Sequence, residues 1–143
     1  MIRQIKVFDY PDEYMEINLN HIGRLIQPMY FVGGERHEAE YKKLLAELGG
    51  DDSYYRALAY ILGFLGPKTY GSYMKYRYGG GKVSARSAWG KYSHGEQLLI
   101  KLAMELYESR QHGFNLVDAI NVMDTDFFEV MLNGILIRRD LMK

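Results

Sequence analysis

The residue types best suited to binding chemistry are gathered in one basic, tyrosine-rich segment, Pro67 to Gly95. It holds four lysines, two arginines, five tyrosines and the only tryptophan, and it contains no Asp or Glu. The whole chain is balanced, with 18 basic and 18 acidic residues. Basic side chains pair with phosphates or carboxylates, and tyrosines stack on bases or anchor protein contacts. The segment therefore favours a surface for nucleic acid or for an acidic protein partner.

The candidate partner-binding residues are five basic side chains and two tyrosines of this segment. They are Lys75, Tyr76, Arg77, Tyr78, Lys82, Arg86 and Lys91. A plainer interpretation is a solvated connection whose tyrosines cover the core and whose Trp89 packs at the foot of the next helix. A further alternative is internal neutralisation, in which helix acids such as Glu38, Glu40 or Glu47 fold back onto the run.

Signals for catalysis, metal binding or cofactor binding are weak. Gly79-Gly80-Gly81-Lys82 has a valine, Val83, where a phosphate loop needs Ser or Thr. The four histidines show no pair at helical spacing, and Ser84, Ser87 and Ser93 have no evident base. Asp51-Asp52 and Asp124-x-Asp126 stand where helix caps are expected. We therefore predict a protein that is not an enzyme, with no catalytic residue, no metal and no cofactor.

Length and composition favour one domain with a substantial core. The chain has 143 residues, of which 48% are hydrophobic and 25% charged. It has no cysteine, which fits a reducing compartment. There is no signal-like N-terminus and no apolar run of membrane-spanning length. These features predict a cytoplasmic protein, in a bacterial host cell, without a membrane partner.

Two helices joined by a short turn are predicted across residues 35–65. The first places Ala39, Tyr41, Leu44, Leu45 and Leu48 at helical spacing. Gly49-Gly50 suits its C-terminus, and the 51–53 run offers caps for a second apolar helix that ends at Gly66-Pro67. The pair is expected to pack antiparallel as a helical hairpin.

The C-terminal part, residues 93–143, is predicted to be helical. Ser93 and Glu96 form a capping-box pattern ahead of a helix that closes near Gln111-His112-Gly113. Asn115 is positioned to cap a shorter helix. The 124–126 run is positioned to cap a final helix with Arg138 in its last turn. We expect Leu58, Leu62, Leu99 and Leu102 to share one core.

The N-terminal part, residues 1–34, is open between two forms. Short alternating stretches on either side of Tyr10-Pro11-Asp12 fit a β-hairpin, and an extended arm with a turn or two of helix between Asn18 and Ile26 is the alternative. The fold class is mainly α, a compact helical bundle-like domain with a possible N-terminal β-hairpin or extended arm. In this division residues 66–92 form a basic, Tyr-rich connection between the helical hairpin and the C-terminal helices.

Part of the chain, residues 35–140, resembles a family of small uncharacterised proteins from Gram-positive bacteria, their phages and mobile elements. The resemblance lies in His37-x3-Tyr41-x2-Leu44, Asp52-Ser53-Tyr54-Tyr55-x-Ala57-Leu58-x-Tyr60-Ile61-Leu62, Ala88-Trp89, Leu102-Ala103-x2-Leu106-Tyr107, Ile135 and Arg138. It implies a compact helical accessory protein and transfers no activity or catalytic residue. The first 34 residues and the glycine-tyrosine-lysine insert depart from the pattern.

Three functions remain open at this level. The first is a non-enzymatic accessory protein of a phage or mobile element that binds a macromolecular partner, such as a host protein, through the basic aromatic residues. The second is a nucleic-acid-binding module that uses the same residues, for which binding weakens steeply with salt. The third is a structural or assembly component of a phage particle, in which self-association as a homo-oligomer would dominate.

Overall fold

The computed structural model describes residues 2–6, 14–18, 26–78 and 90–143, with side chains for 26–74 and 90–143. The fold is mainly α, as predicted. Its elements, in chain order, are β1 (Ile2–Lys6), β2 (Tyr14–Asn18), α1 (Gly34–Leu48), α2 (Ser53–Leu65), α3 (Pro67–Tyr78), α4 (His94–Glu108), α5 (Leu116–Val122) and α6 (Thr125–Arg138).

The two N-terminal strands pair antiparallel, which resolves the choice that the sequence left open. Ile2 lies opposite Asn18, and Lys6 lies opposite Tyr14. The predicted turn around Tyr10-Pro11-Asp12 lies outside the described residues. The two stretches on either side of the predicted turn therefore form short strands, as the β-hairpin alternative predicted.

Helices α1 and α2 form the predicted hairpin, and its turn uses the predicted residues. Gly49 ends α1 in the left-handed conformation, with φ 75°. The Asp52 carboxylate caps α2 by accepting hydrogen bonds from the amides of Tyr54 and Tyr55, at 3.0 and 3.1 Å. In α1 the buried face consists of His37, Tyr41 and Leu44, whereas Ala39, which we expected to face inward, is exposed.

Helix α2 is the centre of the fold, because every residue from Ala57 to Gly63 is buried. It packs against α1, α3, α4 and α6. At its C-terminal end the Arg36 guanidinium donates to the carbonyls of Gly63 and Phe64, at 3.3 and 2.7 Å. These bonds satisfy carbonyl groups that the end of a helix leaves without intrahelical partners.

The stretch that we predicted as a connection from residue 66 to residue 92 begins with a helix, so its first half was wrongly assigned. Gly66, at φ 106°, does end α2, but Pro67 then starts α3. Proline suits the first helical position because its φ is already helical and its missing amide is not needed there. Thr69 and Tyr73, four residues apart, are both about 1% exposed and attach α3 to the core.

Helix α4 carries the predicted capping box and completes the predicted core. The Ser93 hydroxyl accepts from the Glu96 amide at 3.2 Å, and the Glu96 carboxylate accepts from the Ser93 amide at 2.9 Å. Leu99 and Leu102 join Leu58 and Leu62 in one buried cluster. The helix ends at Glu108, three residues before the Gln111-His112-Gly113 run expected to close it, and Ser109 is left-handed at φ 56°.

The two last helices have the predicted caps, and the chain end is tied to the segment before α1. Asn115 accepts from the Asp118 amide at 2.9 Å, and Asp124 accepts from the Phe127 amide at 2.8 Å. The backbone at residues 27–29 pairs with 141–143 through three hydrogen bonds of 2.9 to 3.0 Å.

Two glycines give a matched test of how closely α2 approaches α1. A Cβ on Gly63 would lie 3.0 Å from the amide nitrogen of Tyr41, whereas a Cβ on Gly71 in α3 would meet nothing within 4 Å. We expect Gly63→Ala to cost about 1–3 kcal/mol of unfolding free energy by overpacking. Gly71→Ala is expected to stabilise by about 0.5–1 kcal/mol through helix propensity.

Urea denaturation of the two variants checks this, with the native protein as reference. Both changes add the same methyl group to a helix. Opposite signs of the change in unfolding free energy therefore isolate the effect of packing. A Gly63→Ala variant as stable as Gly71→Ala would contradict the close approach of the two helices.

Candidate interaction surface

The basic aromatic residues singled out in the sequence fall largely outside what the structure describes in side-chain detail. Lys75, Tyr76, Arg77 and Tyr78 lie in the last turn of α3, where the backbone alone is described, and Lys82 and Arg86 lie outside the described residues. Lys91 is exposed, with its ammonium 5.8 Å from the centroid of the Tyr92 ring. Whether the seven residues share one surface stays a prediction, as does the place of Trp89.

A buried polar network lies between α1, α2 and α6. The His37 ring accepts from the Gly33 amide through Nδ1 at 3.2 Å, so the proton is on Nε2, which donates to the Tyr60 carbonyl at 2.7 Å. The Tyr60 hydroxyl donates to the Tyr30 carbonyl at 2.6 Å and accepts from the Asn133 amide at 2.9 Å. Both side chains are fully paired, so the network holds the 30–33 segment and α6 to α2.

This network is built for packing and not for proton transfer. Burial lowers the pKa of His37 to about 4, and burial raises the pKa of Tyr60 to about 12. Both groups are therefore neutral near pH 7. His37 and Tyr60 are also 0% exposed, so no substrate reaches them.

The other described histidines have local partners. His94 Nε2 lies 2.6 Å from an Asp118 carboxylate oxygen, and His112 pairs with Glu108 one turn away. Within the ranges 26–74 and 90–143, no three His, Asp or Glu side chains gather as a metal site would require. The helices of the described chain include none long and apolar enough to cross a membrane.

Helix α6 is apolar on two opposite faces, of which the fold covers one. Its inner face buries Val130, Met131 and Ile137 completely. Its outer face carries Leu132, 45% exposed, and Ile135, 38% exposed. A helix that is hydrophobic all round is normally enclosed on every side. Within the described structure, the outer face of α6 lacks such a cover.

The short helix α5 extends this apolar face. It fully buries only Ala119, while Val117 is 66% exposed and Ile120 is 56% exposed. We call the exposed apolar side chains of the two helices the outer surface. Its members are Leu116, Val117, Ile120, Val122, Leu132 and Ile135. Of these six, Ile120 and Leu132 line a common groove, and exposed apolar side chains that lie together generally mark a contact site.

A groove runs between α5 and α6 within this outer surface. It is open to solvent and has a volume of about 450 Å³. Its lining is mostly apolar with a few polar groups at the edge, and consists of Ile120, Met123, Asp124, Thr125, Phe128, Glu129 and Leu132. Phe128 and Leu132 lie one turn apart on α6, so their side chains share one face.

The two charged side chains that line the groove, Asp124 and Glu129, are both acidic. Residues 111–137 contain four acids and no lysine or arginine. Asp118 pairs with His94, and Asp124 caps α6. Asp126 and Glu129 form no ion pair with a described residue. The sequence analysis missed this surface, although the acid-only run and the two-sided apolar pattern of α6 were signals for it.

Comparison of the chain with protein-family models, with curated proteins and with solved structures finds no match.

The His37 environment predicts a specific pH dependence of stability. The unfolded chain protonates His37 near pH 6.5 and the folded protein near pH 4, so the unfolded state binds the extra proton between these values. The stability that comes from keeping His37 neutral is complete above pH 6.5 and is lost as the pH falls. The loss amounts to about 2–3 kcal/mol at pH 4.5. The stability gap between the native protein and His37→Gln should shrink by that amount between pH 7.5 and 4.5, as measured by urea denaturation.

The control is Leu58→Ala, which destabilises the buried core without removing a titrating group. Its stability gap from the native protein should stay constant between pH 7.5 and 4.5. Parallel curves for the native protein and His37→Gln would contradict the buried, neutral state of His37.

Proposed function

We propose that this protein is a non-enzymatic binding protein and that it contacts a protein partner through the outer surface of α5 and α6. The single observation that carries the proposal is the exposed outer face of α6, where Leu132 and Ile135 stand uncovered on a helix that is buried on its other side. The fold covers these two side chains only in part, and an interface would bury the apolar surface that remains.

The energetic case follows from area. Burying apolar surface contributes roughly 25 cal/mol per Å², and a few well-enclosed side chains provide most of the energy of an interface. Ile120 and Leu132 are suited to that role because they flank a groove in which Phe128 already forms an apolar wall. Around them lie Asp124 and Glu129, which match the polar rim that surrounds the apolar centre of an interface.

The setting of this function is also a proposal. The resemblance to small proteins of Gram-positive bacteria and their phages supports an accessory role in the cytoplasm of a bacterial host cell. A host protein is then the natural partner.

Nucleic-acid binding through the basic aromatic residues is the second candidate. The observation in its favour is the acid-free run from Pro67 to Gly95, together with the exposed Lys91. Of the helix acids considered as internal partners, Glu38 instead pairs with Lys42 on its own helix at 3.2 Å. Titration with single-stranded DNA tests this candidate. If phosphate contacts provide the affinity, it should fall strongly as salt is raised and also when Lys75, Arg77 and Lys82 are changed to Glu.

Site-specific photo-crosslinking tests the proposed function. A photoreactive residue replaces Val117 on the outer surface, and in a second protein it replaces Glu47 on α1, in cells that express them. We expect one discrete adduct from position 117, identified by mass spectrometry, and no matching adduct from position 47. The adduct should disappear when Ile120→Ser and Leu132→Ser are added, because the apolar contact area is lost.

Circular dichroism on the double-serine variant shows whether the fold is retained. An adduct that persists in a folded double-serine variant would contradict a contact through the groove. So would equal labelling from positions 117 and 47.

A further inference from the structure

We propose that the groove between α5 and α6 receives a basic amphipathic helix of the partner protein. This inference rests on the proposed function and specifies the chemistry of the partner. It is drawn from two observations that are independent of each other: the apolar shape of the groove and the acidic character of the charged side chains that line it.

The shape favours an elongated apolar stripe over a compact ligand. The groove is lined on α6 by Phe128 and Leu132, and beyond it the next exposed apolar position on that helix is Ile135. From Phe128 to Ile135 the helix rises by about 10 Å, which is close to two turns. A docking helix places its apolar side chains at positions i, i+3 or i+4, and i+7, and so spans the same distance. A small ligand in an open groove would leave much of its own surface in water.

The charge favours a basic partner. Asp126 and Glu129 lie at the start of α6, without an ion pair among the described residues, and no lysine or arginine occurs between residues 111 and 137. Complementary charge at the edge of an interface speeds encounter and selects the orientation of the partner. Lysines or arginines flanking an apolar stripe would meet these carboxylates, whereas acidic side chains would be repelled.

The same charge disfavours a second copy of this chain as the occupant. A two-fold symmetric dimer places one surface against itself. If two grooves met in this way, the Asp124, Asp126 and Glu129 carboxylates of both copies would be brought together around the contact. Like charges across an interface cost free energy, and no described basic residue lies in the 111–137 run to offset them.

The test uses two synthetic peptides of about 18 residues, one built from Leu and Lys with a helical apolar stripe and one with Glu in place of Lys. Binding is followed by fluorescence anisotropy and by NMR shift mapping on the full chain. We expect the Leu/Lys peptide to shift resonances of Ile120, Phe128 and Leu132. We also expect its affinity to fall about fivefold when Glu129 is changed to Lys, and to fall again as salt is raised.

The matched control is Glu47→Lys, which makes the same charge change on an exposed position of α1. It should leave the affinity for the Leu/Lys peptide within twofold of the native value, which separates a local effect from a change in net charge. Equal losses for Glu47→Lys and Glu129→Lys would overturn the placement of the peptide in the groove.

The remaining outcomes separate this inference from the proposed function. Equal or tighter binding of the Leu/Glu peptide at the same resonances would overturn the basic partner and leave the groove as a contact site. Concentration-dependent self-association that Leu132→Ser abolishes would replace the peptide by a second copy. If neither peptide shifts the groove resonances, the helical occupant is wrong, and the crosslink from position 117 alone decides the proposed function.

Discussion

The architecture depends on the complete burial of α2. Seven consecutive residues, Ala57 to Gly63, are enclosed, so every side of that helix needs a neighbour. Helices α1, α3, α4 and α6 provide this cover, and two glycines allow the closest approaches. A Cβ on Gly63 would lie 3.0 Å from the Tyr41 amide nitrogen, and a Cβ on Gly134 would lie 2.8 Å from Ile61 Cδ1. Two of the polar side chains that this packing buries, His37 and Tyr60, are paired.

Helix α6 is apolar on both faces, as α2 is, but it lies at the edge of the bundle. Its inner face contributes Met131 and Ile137 to the core that encloses α2, and its outer face is left with Leu132 and Ile135 exposed. The contrast between the two helices links stability to function. The apolar side chains on all sides of α2 are buried by the neighbouring helices of the fold. Where apolar side chains continue around α6, the described residues leave them partly exposed, and we propose that a second molecule covers them, with the nearby acids favouring a basic one.

Much of the helical organisation follows from local signals in the sequence. Gly49, Asp52, Ser93 and Asn115 mark helix ends by hydrogen bonding and backbone conformation alone, and each has that role in the structure. Helix α3 was missed because Gly66-Pro67 marks an end and a beginning equally well. The buried state of His37 and the exposed state of Leu132 depend on which neighbours arrive in three dimensions. Helical spacing alone assigns an apolar residue to a face without saying whether that face is covered.

The central claim is that the outer face of α6 is not part of the folded core, and one pair of unfolding measurements tests it. Leu132→Gln and Met131→Gln each replace an apolar side chain by Gln at adjacent positions of α6. Leu132 is on the exposed outer face, and Met131 is on the buried inner face. In urea denaturation we predict a change within about 0.5 kcal/mol for Leu132→Gln. We predict a loss of about 3 kcal/mol or more for Met131→Gln, which buries an unpaired amide. Comparable losses for the two variants would show that the fold itself covers the outer face, and would contradict its role as a binding surface.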